Sequence, residues 1–109
     1  MDYRKLATPH WRQQLFAKRY TVIGNSMSPL LKDGDIVYTK KSNDISIDNI
    51  VVLPHPFRNT HIIKYVAAIH GTMLELSGLN ADESEDSRTF GYIPISQILG
   101  IVIAKKKPR

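Results

Sequence analysis

Two residues stand where ordinary packing would not put them. Ser26 lies in Gly24-Asn25-Ser26-Met27-Ser28-Pro29, a run that reads as a tight turn leaving a strand. Lys64 lies in His61-Ile62-Ile63-Lys64-Tyr65-Val66-Ala67-Ala68-Ile69, a strand that is apolar on both faces. A lysine there is hard to keep charged and unpaired, because burial penalises the ammonium. Together they suggest a hydrolase in which a neutral lysine amine serves as general base for a serine nucleophile. None of the four histidines, His10, His55, His61 and His70, reads as the base. They are scattered, lack metal-ligand spacing, and read as surface or loop residues.

The turn around Ser26 has its own logic. Gly24 lets the chain bend without a Cβ clash, and Pro29 fixes the far side. Backbone N–H groups beside Ser26 can then face a developing oxyanion. On the lysine strand, strict alternation sends Ile62, Val66 and Ala68 to the side of Lys64, and Ile63, Tyr65, Ala67 and Ile69 to the other.

The elements that must hold these residues are mostly strands. Tyr20 to Ile23, Asp35 to Lys40, Asn49 to Leu53, Thr60 to Ile69, Thr72 to Ser77 and Ile98 to Ala104 read as strands, with Asp33-Gly34 and His70-Gly71 as turns. Ser42 to Asp48 reads as a polar connection with one helical turn, and Gly78 to Gly91 as an irregular acidic loop. The fold expected is mainly β, a small coiled antiparallel sheet or open barrel. A short helical or irregular N-terminal segment precedes it, with Trp11, Leu15 and Phe16 on one side and Pro9 near its start. The chain divides into a basic segment (1–19), one domain (20–104) and a basic tail (105–109).

Composition bounds the rest. The 109 residues imply a single domain, and the 42% apolar fraction is that of a globular protein. There is no cysteine, which excludes disulfides, thiolate zinc sites and cysteine nucleophiles. No cofactor and no metal are implied. No apolar run reaches the roughly 18 residues of a transmembrane helix, and the N-terminus lacks the apolar stretch of a signal peptide. A soluble, cytoplasmic protein is therefore expected. The net charge of +5 sits at the ends, around an acidic patch of Asp82, Glu83, Glu85 and Asp86. Solvated termini account for it, and no nucleic-acid partner is expected because no aromatic–basic stripe runs through the body. Weak contact of the basic, aromatic N-terminal segment with a membrane surface is compatible with this pattern.

The motifs resemble a known family. Gly24 to Pro29 followed by Gly34-Asp35 is similar to the nucleophile box of the signal peptidase I family of Ser/Lys proteases, whose fold is of the signal peptidase/LexA-like type. Ile62-Ile63-Lys64-Tyr65-Val66 resembles its base-bearing strand. Gly78-Leu79-Asn80 and Ser84-Glu85-Asp86-Ser87-Arg88-Thr89-Phe90-Gly91 resemble its third box, with Ile93-Pro94 and Ile98-Leu99-Gly100 following in order. The resemblance is strongest to the soluble branch of nickel-type superoxide dismutase maturation proteases, and Val51 to Pro56 is also similar to that branch.

The resemblance implies Ser26 as nucleophile and Lys64 as general base. It implies Ser84 as the hydroxyl that orients the amine, and Asp86 with Arg88 as a bracing ion pair. Met27 would line the pocket beneath the nucleophile, and Asn80 would support the site. Gly24 stands where some members carry an oxyanion-hole hydroxyl, so the hole would rest on backbone N–H groups. The implied activity is removal of an N-terminal propeptide from a protein precursor, the dismutase proform. Leu30, Tyr65 and Leu79 depart from the residues common in the family. Two alternatives stand beside this reading. One is a self-cleaving repressor-type Ser/Lys protein, although residues 1–19 contain no glycine for a cleavable arm. The other is a non-enzymatic basic β-barrel binding module.

Overall fold

Short apolar runs punctuated by Gly, Pro and Asp-Gly turns become an antiparallel sheet in the computed structural model. It describes Leu6 and residues 8–10, 12, 16–80 and 91–108. The strands are β1 (Lys18–Thr21), β2 (Ile36–Lys40), β3 (Ile50–Pro54), β4 (His61–His70), β5 (Met73–Ser77), β6 (Ile93–Pro94) and β7 (Gly100–Lys106). They form one seven-stranded sheet in the order β1-β2-β7-β3-β4-β5-β6, with every neighbouring pair antiparallel. The expected mainly β, antiparallel architecture is the one that forms.

The sheet coils. β1 and β4 are separated by three strands in the sheet order, yet His61 Nε2–H at the start of β4 donates to the Thr21 carbonyl at the end of β1, at 2.8 Å. The rings of Tyr20 and His61 meet edge-on at 5.3 Å. The strand order and these contacts together require the sheet to curl until β1 reaches β4.

Both faces of the centre are buried. Ile50 and Val52 of β3 belong to a cluster with Met27, Leu31, Val37 and Ile63. Val51 and Leu53 belong to a second cluster with Val66, Leu74, Leu76 and Ile98. All four β3 residues are fully buried, as an uninterrupted apolar strand covered on two sides must be. This arrangement fixes the β3–β4 register, Val51 opposite Lys64 and Val52 opposite Ile63. A slip of one residue would turn each side chain into the wrong cluster.

Four details differ from the sequence reading. β1 begins at Lys18, two residues before the expected Tyr20, and β7 runs to Lys106, two beyond the expected Ala104. The 42–48 connection forms turns, not a helical turn. There Ser42 Oγ accepts from the Asp44 N–H at 3.0 Å and Asn49 Oδ1 from the Ser46 N–H at 2.8 Å, and such local bonds compete with helix. Strict alternation along β4 fails after Val66. The register shifts between Val66 and Ala68, so Val66 opposes Leu76 and Ile69 opposes Leu74. Val66 and Ile69 therefore face the same cluster, as a β-bulge dictates. Finally, β6 is a two-residue edge strand ending in Pro94, too short for periodicity to reveal, and a 3₁₀ turn (Ile95–Gln97) follows it. Trp11 and Leu15, expected on the N-terminal segment, lie outside the described residues.

Candidate active site

The loop that carries Ser26 joins β1 to β2 and is closed at its neck. The Val22 N–H donates to the Asp35 carbonyl at 2.7 Å, and the Gly34 N–H to the Val22 carbonyl at 2.8 Å. Above the neck Gly24 adopts φ +81°, a conformation that disfavours any residue with a Cβ, and its N–H donates to Asp33 Oδ1 at 2.7 Å. The Ser28 N–H then reaches the Asn25 carbonyl at 3.1 Å and the Leu31 N–H the Met27 carbonyl at 2.9 Å. Met27, Leu30 and Leu31 are buried and plug the turn into the first core cluster. Ser26 is half-buried between exposed Asn25 and buried Met27.

A second segment holds the turn from outside. The Asn80 N–H donates to the Ser26 carbonyl at 2.8 Å, and Asn80 Nδ2 to the Asn25 carbonyl at 3.3 Å. Asn80 therefore fixes the two peptides that flank Ser26, Asn25–Ser26 and Ser26–Met27, in addition to the turn's own bonds.

Lys64 sits in the middle of β3–β4 pairing and is only 2% exposed. One cleft of about 240 Å³ brings it to Ser26. The turn contributes Ile23, Gly24, Asn25 and Ser26 to its lining, and β4 contributes His61, Ile62 and Lys64. The connection between β3 and β4 adds His55, Arg58 and Thr60. That connection is itself pinned. The His55 N–H donates to the Thr60 carbonyl at 2.8 Å, and the Phe57 N–H to His55 Nδ1 at 3.0 Å. With Nδ1 accepting, the neutral His55 ring carries its proton on Nε2.

Of the residues singled out in the sequence, Ser26, Lys64 and Gly24 line this cleft, Met27 supports the turn from the core, and Asn80 binds its backbone. Ser84, Asp86 and Arg88 lie outside the described residues. Sequence reasoning missed His55 and His61, which it set aside as surface or loop histidines. His55 is buried and both line the cleft. Their placement depends on the coiling of the sheet, which leaves no trace in local spacing. Among the described residues no group of three or more His, Cys, Asp or Glu side chains gathers to hold a metal.

The chain matches the family described as Peptidase S24-like over residues 5–103, nearly its whole length. It belongs to that family. The match places this peptidase domain in the broad group of LexA-like and signal-peptidase-like proteins, and points to a serine peptidase using serine and lysine. A search among curated proteins found no match. Among the described residues of this peptidase domain no helix is long and apolar enough to cross a membrane.

Proposed function

We propose that the protein is an endopeptidase in which Ser26 is the nucleophile and Lys64 the general base, and that it removes an N-terminal propeptide from a protein precursor. The observation that carries this reading is the cleft shared by a turn-borne serine and a buried lysine, in a chain of a serine peptidase family. Burial works against the ammonium and favours the amine. A neutral Lys64 amine takes the Ser26 hydroxyl proton as Oγ attacks the scissile carbonyl. The resulting lysine ammonium then protonates the leaving amine, so the peptide C–N bond breaks and an acyl-enzyme remains. Water, deprotonated by the same lysine, releases the product carboxylate and regenerates the serine.

The oxyanion is received by backbone N–H groups of the turn, chiefly that of Ser26. Gly24, whose added Cβ would meet no atom within 4 Å, leaves the cleft open there. Asn80 keeps the Ser26 peptide in place. Ser84 orients the lysine amine, and Asp86 with Arg88 braces the loop, as the family resemblance implies. Substrate enters as an extended segment. Ile23, 62% exposed on the cleft wall, offers an apolar contact to it.

The substrate we propose is the proform of nickel-type superoxide dismutase, processed in the cytoplasm without nucleic acid. In that dismutase the new N-terminal amine and the side chain of its histidine are nickel ligands. A propeptide converts the amine to an amide and blocks the site, which gives cleavage a chemical purpose. Intact mass spectrometry of the proform incubated with wild type, Ser26→Ala and Lys64→Ala tests this. Loss of a defined N-terminal peptide with wild type alone is expected. Cleavage that survives either substitution contradicts the dyad, and an uncut proform contradicts the substrate. Mass loss from the peptidase itself would instead favour self-cleavage.

A further inference from the structure

A cavity more spacious than the cleft of Ser26 and Lys64 lies elsewhere among the described residues. A groove of about 570 Å³ lies across β1, β2 and β7. Phe16, Leu99 and Ile103 supply its apolar surface, and Phe16 is 81% exposed. Arg12, Lys18, Lys40 and Lys41 supply its charge, and no carboxylate stands among its described lining residues. Lys18 Nζ lies 5.5 Å from the Tyr20 ring centroid, while none of the three lysines has a carboxylate partner among the described residues. Phe16, Leu99 and Ile103 together make an apolar surface rimmed by cations, the pattern that marks an interaction site.

The groove adjoins the cleft. Tyr20 lines the groove, His61 lines the cleft, and their rings touch edge-on at 5.3 Å. We propose that this groove is a docking site for an acidic, apolar-containing peptide segment, and that the segment belongs to the precursor, away from the bond being cut. Charge complementarity selects acidic side chains for the lysines, and the recessed floor at Leu99 and Ile103 takes an apolar side chain between them. A concave floor suits a peptide better than a flat lipid surface. The assignment of the segment to the substrate rests on the peptidase reading; the chemistry of the groove does not.

The test uses the full chain carrying Ser26→Ala, so that hydrolysis plays no part. Its binding to a fluorescent nonapeptide alternating glutamate with leucine and valine is read by anisotropy. A control peptide has glutamine in place of each glutamate. The acidic peptide is expected to bind at least about tenfold more tightly than its control, an advantage that falls with added salt. The pair Lys40→Glu and Lys41→Glu, on the exposed rim, should abolish that advantage while leaving acylation of the otherwise wild-type Ser26 by small reagents unchanged. With the cleavable precursor the same pair should raise KM and spare kcat. Equal binding of both peptides, or undiminished binding by the pair, overturns the docking site. Sedimentation with phosphatidylglycerol vesicles without peptide binding also overturns it, in favour of a lipid surface. Peptide binding with unchanged KM overturns the substrate assignment alone. If wild-type Ser26 resists every acylating reagent, the peptidase reading fails, and peptide binding still decides the groove.

Discussion

Lys64 is the residue whose environment most constrains its chemistry. It is 2% exposed within an apolar sheet, and replacement by methionine keeps the stem while removing the amine. Methionine offers no partner to the hydroxyls of Ser26 and Ser84 that the proposed mechanism sets against the amine, so Lys64→Met should cost about 1–3 kcal/mol of thermal stability, the penalty of an orphaned buried group. It should also reduce the acylation rate of Ser26 by roughly 10²–10⁴-fold, the usual contribution of a general base. Tyr20 offers a second check. Its hydroxyl is buried and makes no hydrogen bond among the described residues. An unsatisfied buried hydroxyl is a cost, so Tyr20→Phe should stabilise by about 1 kcal/mol in urea unfolding. The types and local contexts of Ser26 and Lys64 were legible in the chain because each violates a packing expectation on its own. His55 and His61 violate none; the distant partner Thr21 reveals where His61 stands, and burial reveals His55.

At the scale of elements, the close approach of β7 to β2 is the sharpest steric demand. A Cβ on Gly100 would lie 2.7 Å from Thr39 Cβ and 2.8 Å from Thr39 Oγ1. Thr39 is buried and held by its own bond from Oγ1 to the Lys18 carbonyl at 3.1 Å, so it has little room to give. Gly100→Ala should therefore destabilise by about 1–3 kcal/mol, the range of overpacking, measured as a shift in the urea midpoint with unchanged slope. The longer strands could be read from β-branched runs and turn residues to within two or three residues at their ends. The bulge in β4 could not. It leaves Ala67 as the extra residue of β4 against β5, and its effect is to return Ile69 to the side of Val66. β6 was hidden for a different reason: two residues, one of them proline, carry no period.

At the scale of the molecule, the cleft exists because the sheet coils far enough for β1 to meet β4. The His61–Thr21 hydrogen bond stands at that closure, with Ser26 five residues beyond Thr21 and Lys64 three beyond His61. His61→Ala should cost about 0.5–1.5 kcal/mol, the net value of one hydrogen bond, and slow acylation of Ser26 by loosening the spacing of the proposed dyad. His61→Gln, which keeps a donor, should restore much of the rate; a purely structural loss would not separate the two variants at equal stability. Mainly β character and antiparallel pairing were legible in the sequence. The basic groove was not, because Lys18, Lys40 and Leu99 are far apart in the chain and meet only once β1, β2 and β7 pair.

The measurement that bears most directly on the central claim is intact mass spectrometry of the full chain after exposure to a panel of small serine-acylating reagents, a fluorophosphonate and a penem among them. Wild type should gain a single adduct that maps to Ser26, Ser26→Ala should gain none, and Lys64→Met, shown to be folded by circular dichroism, should gain it far more slowly. An adduct that persists in Ser26→Ala, or forms at the wild-type rate in Lys64→Met, would contradict the serine–lysine pair, and a wild type inert to the whole panel would contradict the peptidase.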